Sequence, residues 1–209
     1  MVIISHRGFW RSADEKNTRE AFQRSFDSGF GTETDVRDAC GALVISHDMP
    51  DGSEMTLTEF LGILGGRDLP IAFNIKADGI SKKLVRHLVD QGIKSWFTFD
   101  MSVPELVAQL QNGAPAYTRA SEYENPPSCY QAAAGVWLDS FESEWYDMTF
   151  INKLLNDGKK VCIVSPELHK RDHIPLWAAL KASGIWSDPS LMLCTDFPSE
   201  AKTFFQERQ

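Results

Sequence analysis

Cysteine is scarce in this 209-residue sequence: Cys40, Cys129, Cys162 and Cys194 are scattered, with no C-x-x-C pair among them. A dithiol redox motif or a paired-cysteine zinc pattern is therefore excluded. Cys162 and Cys194 lie in apolar runs, where a thiol behaves as a small buried residue. The pattern fits a reducing cytoplasm. Long apolar runs are missing as well, and no basic segment with a cleavage site precedes Val2-Ile3-Ile4, so neither a membrane span nor a signal peptide is expected. Cations are outnumbered, 21 Lys and Arg against 29 Asp and Glu, and the net charge of −8 argues against a general nucleic-acid binder. There is no linker and no low-complexity tract. One domain over residues 1–209 is expected, large enough to bury its own core.

What the sequence has is alternation. Short β-rich apolar runs occur at Val2–Ser5, Gly31–Val36, Pro70–Ile75, Ser95–Phe99, Pro115–Thr118, Gly135–Leu138, Lys160–Val164 and Leu191–Cys194. Helical patterns lie at Thr18–Ser28, Leu57–Leu64, Ser81–Gln91, Val103–Gln111, Pro126–Ala133, Tyr146–Asp157, Ile174–Ser183 and Ser199–Glu207. Thr56-Leu57-Thr58-Glu59 resembles a capping box, and Gly29, Gly65, Gly92, Gly113, Gly158 and Gly184 mark helix ends. Eight strands each followed by a helix specify an α/β fold with a parallel sheet, closed as a (β/α)₈ TIM barrel; a doubly wound open sheet is the alternative. Leu43–Ser46, after a Gly41 turn, reads as an extension of the second strand rather than a barrel strand.

In such a barrel the active site collects at the C-terminal ends of the strands. His6-Arg7, Glu33 and Asp35, His47-Asp48, Asn74 and Lys76, Asp100, Arg119 and Glu122, Asp139, Glu167 and Thr195-Asp196 all fall there. So many charged groups at one end are costly unless they bind something. Residues two apart in a strand share a face, so Glu33 and Asp35 enter the mouth together, and a divalent cation would relieve their repulsion. Histidine titrates nearest to neutral pH, which makes His6 and His47 natural proton carriers. Phosphodiester cleavage needs such carriers and cations on the phosphoryl oxygens, which Arg7, Lys76 and a metal could supply.

Ile4-Ser5-His6-Arg7-Gly8, Asn17-Thr18, Glu33-Thr34-Asp35-Val36 and His47-Asp48, in this order and spacing, resemble the signature of the glycerophosphodiester phosphodiesterase family. Thr195-Asp196-Phe197-Pro198 is similar to that family's closing strand. The resemblance implies a TIM barrel of the phospholipase-C-like phosphodiesterase type that hydrolyses a small or sugar-linked phosphodiester. It implies a divalent metal, Mg²⁺ or Ca²⁺, on Glu33 and Asp35, with His6 and His47 as acid and base and Arg7 and Lys76 on the phosphate. Asn74 stands where the family has a glutamate ligand, so the third ligand is a neutral amide or one recruited from Asp100, Asp139 or Glu122. The connection from His47 to the next helix is short, which points away from the namesake substrate.

Asp100, Arg119, Glu122, Trp137 and Asp139 form a further candidate site, with Trp96, Phe99, Tyr117, Tyr123, Trp137 and Phe141 either a ligand wall or packing. Three other functions remain compatible with these residues: a phosphate- or sugar-binding barrel without turnover, a cyclising phosphodiester lyase, and a Schiff-base enzyme using Lys76.

Overall fold

The computed structural model describes residues 1–206. Among them the strands are β1 (Val2–His6), β2 (Gly31–Ala39), β3 (Ala42–Ile45), β4 (Ile71–Ile75), β5 (Trp96–Phe99), β6 (Tyr117–Ala120), β7 (Gly135–Leu138), β8 (Lys160–Val164) and β9 (Leu191–Thr195). Seven helices accompany them: α1 (Arg19–Asp27), α2 (Leu57–Leu64), α3 (Ser81–Asp90), α4 (Val103–Gln111), α5 (Met148–Asn156), α6 (Ile174–Ser183) and α7 (Pro198–Gln206). The strands other than β3 are parallel staves in the order β5-β4-β2-β1-β9-β8-β7-β6. This is the expected (β/α)₈ barrel. No helix among the described residues is long and apolar enough to cross a membrane.

Strand alternation builds two concentric cores. Ile4, Phe97, Phe99, Tyr117, Trp137, Cys162, Val164, Met192 and Cys194 point inward and fill the barrel. Their neighbours point outward against the helices, as with Phe73 beneath Phe60 and Val136 and Leu138 in the layer that holds Trp177. Trp177 is fully buried, donates from Nε1 to Ser165 Oγ at 2.9 Å, and meets Phe204 and Phe205 of α7.

The capping box forms as read: Thr56 Oγ1 accepts from Glu59 N–H while the Glu59 carboxylate accepts from Thr56 N–H. Leu43–Ser46 pairs back on the second strand, as β3, antiparallel to β2. The turn between them carries positive φ at both Cys40 and Gly41, the twist that a two-residue hairpin needs.

Two expectations fail for local reasons. No helix forms at Pro126–Ala133, so β6 runs to β7 through turns. The prolines at 126 and 127 bring no amide donors, Ser128 O accepts from Thr118 Oγ1, and Cys129 takes a positive φ that breaks any helix. The fifth stave, β6, also starts later than Pro115, at Tyr117. Pro115 has no N–H to offer its neighbour, so β5 and β6 share one isolated bridge, Thr98 to Ala116, in place of a ladder. The last helix begins at Pro198; Glu207, included in its expected range, lies outside the described residues.

Candidate active site

The site grows out of the β1 end. Arg7 and Gly8 both adopt positive φ, 58° and 87°, and the chain turns sharply over the mouth. A β-carbon at Gly8 would stand 2.8 Å from Ala21 Cβ, so this turn requires glycine. The turn aims Arg7 N–H at Glu33, on the neighbouring stave, at 3.2 Å from Oε2. His6 Nδ1 pairs with Asp196 Oδ1 at 2.7 Å, and its Nε2 lies 3.9 Å from Glu33 Oε2. Asp196 follows β9, which pairs with β1, so closure of the barrel joins residues from the two ends of the chain.

Asp35 is fully buried and encircled by donors. Asn17 Nδ2 donates to Oδ2 at 2.9 Å, Arg7 Nε stands 3.0 Å from Oδ2 as an ion pair without hydrogen-bond alignment, and Lys76 Nζ is 3.7 Å from Oδ1. Asn17 is itself fixed: its Oδ1 accepts from Thr34 Oγ1, and its backbone N–H donates to Arg7 O. Lys76 reaches on to Asp100 at 3.3 Å, and Asp100 pairs with Arg119, which also pairs with Glu124. A chain of alternating charge thus runs round the mouth from β2 to β6. Positive φ at Arg7, Asn17 and Asp100, all non-glycine, marks the same rim.

Glu33 carries the electrostatic cost. Burial pushes its carboxyl up to about 7, and Asp35 adds to this against the opposing pull of His6, Arg7 and Lys76. Between the ordinary value of 4.5 and about 7 the folded state keeps a proton that the unfolded chain has lost, so stability falls as pH rises through that window. Glu33→Gln removes this loss. The variant is expected to match the parent near pH 4 and exceed it above pH 7 by up to about 3 kcal/mol, read by thermal unfolding in chelator across pH. A difference that does not grow with pH would refute the burial argument.

Donor chemistry at the mouth fits a hard cation in kind. Asp35 Oδ1 and Asn74 Oδ1 are buried without hydrogen-bond partners, and the two residues are register neighbours across β2 and β4. With Glu33 they present two carboxylates and an amide oxygen. Among the described residues no group of three or more His, Cys, Asp or Glu side chains is gathered as a metal shell. The carboxylates considered as recruits are engaged elsewhere. Asp100 holds Lys76 and Arg119, Asp139 holds His169, and Glu122 accepts from the Phe141 and Glu142 amides.

His47 lines an open cavity of about 460 Å³ with Arg7, Lys16, Asn17 and Asp48, and its Nδ1 bonds the adjacent Asp48 at 2.9 Å. Its backbone is fixed by Arg37, whose guanidinium donates to His47 O. Trp137 is buried and stacks on Phe99 with centroids 3.7 Å apart, forming part of the floor beneath the mouth. Tyr123 and Phe141 lie higher, on the loops.

The whole barrel can be compared with solved structures. It superposes on a glycerophosphodiester phosphodiesterase from Agrobacterium tumefaciens with a TM-score of 0.73 at 16% identity, over 98% of this chain and 99% of that one. The barrel has the glycerophosphodiester phosphodiesterase fold. A phosphodiesterase from Oleispira antarctica, solved in complex with the product sn-glycerol-3-phosphate, matches at 0.70 and 15% over 99% and 97% of the two chains. A glycerophosphoryl diester phosphodiesterase from Parabacteroides distasonis matches at 0.69 and 13% over 97% and 85%. No family model matches the sequence, and no curated protein matches it by sequence comparison.

Within this glycerophosphodiester phosphodiesterase fold, sequence reasoning missed three contacts. Asp196 was visible as a strand-end acid, but its partnership with His6 spans 190 positions. Asn17 was visible in the motif, yet its grip on Asp35 needs the left-handed turn at that position. His169 gave no signal at all, because it lies in a short 3₁₀ turn after β8.

Proposed function

We propose that the protein is a phosphoric diester hydrolase of the glycerophosphodiester phosphodiesterase type, acting on a small or sugar-linked phosphodiester. One observation carries the reading: a carboxylate-oriented imidazole, His6 on Asp196, adjoins a buried carboxylate pair and two cations at one barrel mouth. Arg7 and Lys76 bind the phosphoryl oxygens, and His6 moves a proton at Nε2 while Asp196 fixes its ring through Nδ1. The resemblance gives the second acid-base role to His47. Glu33, Asp35 and Asn74 would hold Mg²⁺ or Ca²⁺, which neutralises charge on the phosphoryl group. Lys76 Nζ is committed to two carboxylates, which favours a phosphate-binding cation over a Schiff-base nucleophile. The solved neighbour with bound glycerol phosphate supports the substrate class.

A phosphodiester panel assayed with Mg²⁺, Ca²⁺ or chelator tests this. Hydrolysis of at least one alkyl diester, lost in chelator, is expected; phosphate binding without turnover on the whole panel would refute it. Asn74→Glu restores a third anionic ligand and is expected to tighten cation binding about tenfold or more, by calorimetry. Unchanged affinity would place Asn74 outside the shell.

A further inference from the structure

We infer that Lys16 selects among phosphodiesters by binding a further anionic group, a carboxylate or a phosphate, carried on one arm of the substrate. This rests on the phosphodiesterase reading above and narrows its substrate class. Lys16 lines the same cavity of about 460 Å³ as Arg7, Asn17 and His47, so an arm lying in that cavity meets it.

The other cations of the mouth have carboxylate partners: Arg7 and Lys76 on Asp35, and Arg119 on Asp100 and Glu124. Lys16 differs. Among the described residues its Nζ pairs with no carboxylate, and it sits 4.5 Å from the centroid of the Trp10 ring. The acids around it are engaged. Glu15, its neighbour in the chain, pairs with Arg24 and accepts from Arg11 N–H. Glu54, on the same cavity, accepts from the Asp51 and Gly52 amides. Asp48 bonds His47 Nδ1, and its carboxylate is almost wholly exposed, where water screens it. In a chain of net charge −8, an ammonium left without an anion at the wall of such a cavity attracts one from outside.

Lys16 is also held in place. A lysine ammonium on its flexible stem loses rotamer freedom whenever it is fixed. Here the Trp10 ring already restrains it. Trp10 Nε1 donates to His6 O at 3.0 Å, which ties that ring to the strand bearing the imidazole. The backbone beneath is pinned as well: the amides of Lys16, Asn17 and Thr18 donate to the carbonyls of Ala13, Arg7 and Glu15. Asn17 is the residue that grips Asp35, so one short segment both fixes the buried acid and presents the ammonium. Three N–H donors on a compact charge suit a carboxylate or phosphate oxygen.

The panel's best diester, remade with each arm in turn ending in a hydroxymethyl, carboxylate, phosphate or aminomethyl group, reads this cation directly. The parent is expected to cleave an anionic form about tenfold or more better than its hydroxymethyl counterpart, judged by kcat/KM; the better of the two anionic ends names the group. Lys16→Met is expected to erase that ratio through KM, with kcat on the anionic form held within about threefold. Lys16→Arg keeps a cation over the ring and is expected to retain most of the ratio. Added salt is expected to shrink the ratio in the parent, a response that a merely structural lysine would not produce. A parent without preference for an anionic end, a preference for the aminomethyl end, or a ratio unchanged in Lys16→Met would each overturn the inference while leaving the hydrolase reading intact. A parent that cleaves no diester of the panel would overturn both.

Discussion

His6→Ala is expected to lower phosphodiester turnover by about 10²–10⁴-fold with the fold unchanged. Among the described residues, His6 is the only candidate proton carrier that lies against both a fixed carboxylate and the buried acid pair: Asp196 at 2.7 Å on one side, Glu33 at 3.9 Å on the other. Removing the ring leaves Arg7, Lys76 and the carboxylates in place, so substrate affinity is expected to change little and the loss to fall on kcat. Asp196→Asn serves as its companion. The amide still reaches His6 Nδ1 but carries no charge to support an imidazolium, so a smaller loss is expected. Steady-state rates on the best diester, with circular dichroism as a check on folding, decide the matter. A loss of less than about tenfold in His6→Ala would remove His6 from the chemistry.

The largest expected change in stability lies elsewhere. Trp177→Ala empties a fully buried indole site behind the second half of the barrel and strands the Ser165 hydroxyl. The lost packing and the residual cavity cost about 3–5 kcal/mol, which for a domain of this length lowers Tm by on the order of 10 °C. Trp177 belongs to the outer core, away from the mouth, so activity at low temperature is expected to persist. The pairing of normal turnover with a large fall in Tm would show that the two layers are energetically separate. A shift of only a few degrees would mean that Phe204 and Phe205 collapse into the space.

The sequence made the staves legible wherever an apolar run was bounded by turn residues: Gly135–Leu138 and Lys160–Val164 have the same limits in the structure as in the pattern. Helices were legible where a cap and a glycine framed them, as with Thr56 and Gly65 around α2. Pro126–Ala133 misled because its alanines carry helix propensity while its two prolines and the Cys129 backbone act against it. In the site, local spacing was enough to bring Glu33 and Asp35 to one face, since that needs only the period of a strand. Partnerships across staves were beyond reach. His6 with Asp196, and Asp139 with His169, depend on which strand closes against which, and no local pattern encodes that.

The single bridge between β5 and β6 bears on how such a chain assembles. Residues up to Phe99 supply the sheet run β5-β4-β2-β1, and the other half-sheet, β6 to β9, joins it at β1 through β9, the last strand in the sequence. The barrel is therefore sealed near the midpoint of the chain, where the backbone supplies least. At the mouth that seal is reinforced by a side-chain latch, Asp100 to Arg119, which fastens the two half-sheets together. An anion that draws on Arg119 acts on the weakest joint of the wall, and amide exchange around Thr98 and Ala116 would register its arrival.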